Sequence, residues 1–210
     1  MKTILYIHGM GGGGDSRIPC HLNRLMAGED VRVIVRTYDF DPEIGRSQIV
    51  SWVAELQPDL VIGESLGAIQ ALRIQGLPHL FVSPSMGAPE KLYSLAPLSR
   101  LALGRWFLHK LFPLREGDRQ PMKFTFDVLS KYRAHGQAAL KAIEKGGYYF
   151  AFFGTKDHYR RSGVVRPEEW PALFGPGSCV IYEGTHFMEA EYIESLLIPK
   201  IREVLSLEKK

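Results

Sequence analysis

Apolar positions follow two rhythms along this chain. Lys2–Ile7 is a short apolar run stopped by His8-Gly9, which predicts a buried strand. Val31–Val35 is β-branched and predicts a second strand. Residues 59–62 predict a third, His79–Val82 a fourth, the aromatic run 148–153 a fifth and 178–182 a sixth. Between these runs the apolar spacing changes to three and four. Ser16 is a candidate N-cap for a helix reaching about Ala27, with Pro19 in the first turn, where proline is tolerated. Ile49, Trp52, Val53 and Leu56 share one helical face. Residues 65–75 read as a buried helix closed by Gly76 and Pro78. A short helix is expected over 168–173. The last helix is expected over 189–207, with Ile193, Leu197, Ile201 and Val204 on one face and a kink at Pro199.

Strands alternating with helices imply right-handed crossovers and a mostly parallel sheet of about six strands, the α/β class. The rhythm breaks over 85–146, where no strand signal occurs. Apolar helical stretches lie around 92–112 and 126–145, interrupted by Pro97, Pro113 and Pro121. The expected organisation is one domain over 1–210, with a helical cap or lid inserted over 85–146.

Composition narrows the class. The 210 residues carry 45% hydrophobic and 23% charged positions, ordinary for a soluble domain of this size. The net charge of +3 comes without a Lys/Arg cluster, so a nucleic-acid partner is not expected. Cys20 and Cys179 show neither disulfide nor metal spacing. The N-terminal apolar run is too short for a signal peptide, and there is no transmembrane stretch. A cytoplasmic location is the resulting expectation.

The chemistry comes from residues that follow strands, because parallel sheets bind ligands beyond the carboxyl ends of their strands. Gly63-Glu64-Ser65-Leu66-Gly67 sits directly between the third strand and the next helix. That context is the one a nucleophile elbow needs: a sharp turn exposing Ser65, with Gly63 and Gly67 leaving room for strand and helix. Of the seven histidines, His186 follows the last strand and stands after Ser65 in the order this chemistry uses. Asp157, after the fifth strand, is positioned to accept the His186 Nδ1–H and fix its tautomer. His158 is an alternative base. Backbone donors for an oxyanion are expected at Leu66 and in the His8-Gly9-Met10-Gly11 loop, Met10 first and Gly11 second, with His8 shaping the loop.

The ordered set His8-Gly9, Gly63-x-Ser65-x-Gly67, Gly154-x-x-Asp157 and His186 resembles the α/β-hydrolase superfamily over nearly the whole chain. More narrowly it resembles the compact bacterial (YqiA-like) esterases, which start near the oxyanion strand as this chain does. The resemblance implies a serine hydrolase acting on small-molecule carboxylic esters of small to medium acyl length. It implies a lid between the fourth and fifth strands. No metal-ligand cluster or cofactor motif is present, so neither metal nor cofactor is expected. Thioesterase and lipase-like acylhydrolase activities, and a non-catalytic binding protein of the same fold, are alternatives.

One competing motif is present. Gly9-x-Gly11-x-x-Gly14 matches a dinucleotide fingerprint, but that reading needs a helix opening at the second glycine, with Pro19 in its interior. It also needs an acidic residue after the second strand, where Arg36 and Thr37 stand. The apolar stretch 98–112, with Trp106 and Phe107, is expected to roof the site and bind the acyl chain.

Overall fold

The computed structural model describes residues 1–113 and 116–207. Six strands form one sheet: β1 (Lys2–Ile7), β2 (Val31–Val35), β3 (Leu60–Glu64), β4 (His79–Val82), β5 (Tyr149–Gly154) and β6 (Cys179–Tyr182). Their spatial order is β2-β1-β3-β4-β5-β6, and every pair is parallel. Strand side chains alternate between faces, so each inner strand feeds two cores. On one face, Ile4 and Tyr6 of β1 join Ile62 and Leu80, packed against Ile18, Leu22, Ile193, Leu197 and Ile201. On the other, Leu5 and Ile7 join Val61, Phe81, Phe153 and Trp170.

Helices cover both faces. They are α1 (Arg17–Leu25), α2 (Pro42–Leu56), α3 (Gly67–Ala71), α4 (Ala88–Leu95), α5 (Ala102–Leu111), α6 (Phe126–Lys141), α7 (Trp170–Phe174), α8 (Ala190–Tyr192) and α9 (Ile198–Leu205). Helix α2 starts well before its apolar face, because Asp41 caps it by accepting the Glu43 N–H at 2.9 Å and Pro42 fits the first turn. The helix expected over 65–75 is α-helical only over Gly67–Ala71 and then tightens, with the Arg73 and Ile74 N–H groups bonded three residues back. The last helix is divided rather than simply kinked. A π-turn, Ile193–Leu197, separates α8 from α9. Pro199 has no N–H, and its ring crowds the carbonyl four residues back, so the wider turn relieves it while Ile193, Leu197 and Ile201 stay buried.

The region 85–146 divides in two. Helix α6 packs on α2, α3 and α4 and buries Val128, Leu129, Tyr132 and Ala139. Helix α5 buries only Gly104 and Leu108. Trp106 and Phe107 are more than half exposed and lie outside the cavity described below, which corrects the expectation that they bind an acyl chain. No helix among the described residues is long and apolar enough to cross a membrane.

Candidate active site

An all-parallel sheet brings the ends of its strands to one edge. Ser65 follows β3 there, Ser85 follows β4, Asp157 follows β5 and His186 follows β6. Ser65 has φ of 50°, in the left-handed region that a non-glycine residue seldom adopts. The surroundings enforce it. A Cβ on Gly67 would lie 2.4 Å from the carbonyl oxygens of Ile7 and His8, so only glycine lets α3 start this close to β1. Gly63 faces Ala68 and Ala71 with nearly as little room. Ser65 N–H donates to the Val82 carbonyl at 2.9 Å, and Ser85 N–H donates to the Ser65 carbonyl at 3.1 Å.

The three side chains form a continuous chain. His186 Nδ1 lies 2.7 Å from Asp157 Oδ2, and His186 Nε2 lies 2.9 Å from Ser65 Oγ. The other Asp157 oxygen accepts the Tyr159 N–H at 2.8 Å. A carboxylate only accepts, so Nδ1 carries the ring proton and Nε2 accepts from the Ser65 hydroxyl. Asp157 and His186 are both buried. The His158 ring packs at a tilt on Tyr159, centroids 4.0 Å apart, and lies 6.4 Å from the His186 ring, outside this chain.

The sequence does not single out Ser85. Its Oγ lies 3.1 Å from Ser65 Oγ. The Ser65 proton is committed to His186, so Ser85 donates. The Ser83 carbonyl, at 3.4 Å, is the weaker acceptor for the same proton.

The backbone N–H groups around Ser65 differ in whether the protein already engages them. Gly11 N–H is taken by Gln120 Oε1 at 3.2 Å, Gly12 N–H by the Gly9 carbonyl, Gly13 N–H by Ser16 Oγ and Gly14 N–H by Thr37 Oγ1. Among the described residues, no protein acceptor takes the N–H of Met10 or Leu66. Gly9 runs against the Ser65 Cβ. His8 supports the loop: its Nδ1–H donates to the Gly9 carbonyl at 2.7 Å and its ring stacks on Tyr38 at 4.3 Å. Burial lowers the His8 pKa to about 4, so the ring is neutral near pH 7.

The glycine run has a packing cause. A Cβ on Gly13 would lie 1.7 Å from the Asp118 carbonyl oxygen, because residues 117–120 cross over the loop. The first helix opens at Arg17, beyond the run, and Arg36 is paired with Glu55 at 2.6 Å. Neither feature fits a dinucleotide site.

A cavity of about 1000 Å³ opens over Ser65 and His186. Leu92, Leu95, Leu111, Phe112, Met122 and Val164 form its apolar wall. Glu64 also lines it; Tyr6 Oη donates to Glu64 Oε2 at 2.8 Å, and burial pushes this carboxyl above the usual range. No group of three His, Cys, Asp or Glu side chains among the described residues could hold a metal ion.

The chain matches no protein-family model and no curated protein. Solved structures do match. A monoacylglycerol lipase of Paleococcus ferrophilus superposes with a TM-score of 0.65 at 17% identity, covering 98% of this chain and 95% of that one. A structure from work on carboxylesterases of Nitrososphaera gargenis gives 0.61 at 16%, covering 98% and 91%. Est1E of Butyrivibrio proteoclasticus, bound to ferulic acid, gives 0.65 at 14%, covering 98% and 90%. At identities this low the likeness speaks for architecture rather than chemistry, and on that ground the chain has the α/β-hydrolase fold.

Proposed function

We propose that this protein is a serine hydrolase that cleaves carboxylic esters of small to medium acyl length through an acyl-enzyme. The observation that carries the reading is the unbroken Asp157–His186–Ser65 hydrogen-bond chain at the floor of a large apolar cavity. Ser65 Oγ attacks the ester carbonyl while His186 Nε2 takes its proton. The Met10 and Leu66 N–H groups receive the developing oxyanion. His186 then protonates the leaving alcohol. Water, deprotonated by His186, attacks the acyl-enzyme; the acyl–Oγ bond breaks, His186 returns the proton to Ser65 Oγ, and the acid leaves. Asp157 holds the imidazole tautomer throughout. Ser85 donates to Ser65 Oγ, which stabilises that oxygen when it attacks and when it leaves.

The cavity wall supports an acyl group more than a polar one, since each buried methylene contributes about 0.8 kcal/mol. A panel of p-nitrophenyl esters from acetate to palmitate should show kcat/KM rising over several carbons and then falling where the wall ends. A fluorophosphonate probe should label the wild type and leave Ser65→Ala unlabelled. No labelling and no ester turnover in the folded protein would sink the reading.

The oxyanion assignment has its own test. Met10→Ala keeps the backbone donor and should retain substantial activity. Met10→Pro removes the N–H and should cost about 3 kcal/mol of transition-state stabilisation, on the order of a hundredfold in kcat/KM. Full activity in folded Met10→Pro would rule that donor out.

A further inference from the structure

Helix α5 poses a problem of surface chemistry. A helix that is apolar around most of its circumference belongs in a core or against a membrane. Yet α5 turns Leu103 (74% exposed), Trp106 (58%), Phe107 (51%) and Leu111 (56%) outward, with Leu101 (64%) at its start. Residues 103, 106, 107 and 111 follow helical spacing, so they make one continuous patch. Contiguous exposed patches of this kind mark contact surfaces.

The charges around the patch name the contact. Lys110 lies within the patch, Arg100 sits 3.8 Å over the Phe126 ring beside the start of α5, Arg105 donates to the Ser99 carbonyl at 3.0 Å, and residues 98–113 contain no Asp or Glu. The Lys110 ammonium sits 5.2 Å from the centre of the Trp106 ring, so charge and aromatic surface are presented together. We infer that the outward face of α5 docks on a lipid surface carrying anionic headgroups. Leucine and aromatic side chains enter the interface, and the cations meet the headgroups. A second copy of this chain using the same patch would set these cations against their own kind. The C-terminal end of α5 leads to the cavity, which Leu111, Phe112 and Pro113 line. Delivery of acyl substrate from the docked layer into the cavity rests on the esterase reading; docking itself does not.

The test uses the full chain and vesicles of phosphatidylcholine, either alone or mixed in equal parts with phosphatidylglycerol. The protein should co-sediment with the mixed vesicles, bind the neutral ones more weakly, and be released by added salt. Tryptophan emission should shift to the blue on binding, and Trp106→Phe should abolish the shift. A Trp106→Ser/Phe107→Ser variant should bind the mixed vesicles at least ~10-fold more weakly. Neither residue lines the cavity, so p-nitrophenyl acetate hydrolysis should be unchanged. Equal binding by wild type and this variant, or no binding by the wild type, overturns the inference. A concentration-dependent dimer that the double variant abolishes, without vesicle binding, overturns it in favour of a self-interface. Vesicle binding by a protein that turns over no ester would leave docking standing and remove the esterase reading.

Discussion

Ser65→Ala should keep its fold and lose roughly 10⁴–10⁶ of kcat, and His186→Ala should lose about as much. The two losses should not multiply in the double variant, because nucleophile and base act as a unit. Asp157→Asn should cost up to about 10⁴, since an amide in that place favours the wrong imidazole tautomer. His158→Ala should stay close to wild type, because that ring lies outside the hydrogen-bond chain. Ser85→Ala should fall between these, at roughly tenfold in kcat with KM little changed, the loss of one hydrogen bond to a reacting oxygen. Steady-state kinetics on one p-nitrophenyl ester, with circular dichroism to confirm folding, checks the whole series. A folded Ser65→Ala protein with more than a tenth of wild-type activity removes the nucleophile assignment. Wild-type kcat in Ser85→Ala removes that hydroxyl from the mechanism.

Stability should collapse between about pH 6.5 and pH 3, starting well above the range where carboxylates titrate. Three buried histidines set this window. Burial lowers His8 and His79 to about 4, and burial together with the Arg73 and Arg46 charges lowers His135 to about 3. The folded-state values lie below the unfolded value near 6.5, so the unfolded chain binds more protons as the pH falls. The stabilisation is complete above about 6.5 and is lost as pH drops through the folded values. Each protonation disfavours the fold by on the order of 3 kcal/mol, against a typical total stability of about 5–15 kcal/mol. Glu64, pushed upward by burial, works in the opposite direction, one carboxyl against three imidazoles. Urea midpoints from pH 7.5 to 4.5 read the effect. His79→Phe keeps a ring between Phe81 and Tyr149 and should flatten the profile by about one proton. A midpoint independent of pH over that range would contradict the account.

The strands were legible because each is an apolar run bounded by Gly, Pro or polar residues, and β2 and β4 coincide with the expected ranges. The positions of Ser65, Asp157 and His186 at strand ends were legible for the same reason, because a parallel sheet puts all those ends on one edge. Ser85 was not, since its contact with Ser65 depends on β4 lying beside β3, and strand order is not written in apolar periodicity. The start of α2 was hidden because the positions before its apolar face are mostly polar or glycine, among them Glu43, Gly45, Arg46 and Ser47. Trp106 and Phe107 could not be aimed from sequence, because α5 carries apolar residues both on its buried side, at Leu108, and on its exposed side. Gln120 holds the Gly11 N–H from a segment without regular structure, and nothing in its neighbourhood marks that contact.

The strand order also sets when the site can first be complete. Ser65 belongs to the turn after β3 near the middle of the sheet, while His186 hangs beyond β6, the edge strand that comes last in the order of the six. During synthesis the turn at Ser65 can form around β1, β3 and β4 long before His186 leaves the ribosome. The Asp157–His186–Ser65 hydrogen-bond chain can therefore close only after the final strand has docked. The assembled site is thus a property of the finished sheet and of no shorter part of the chain.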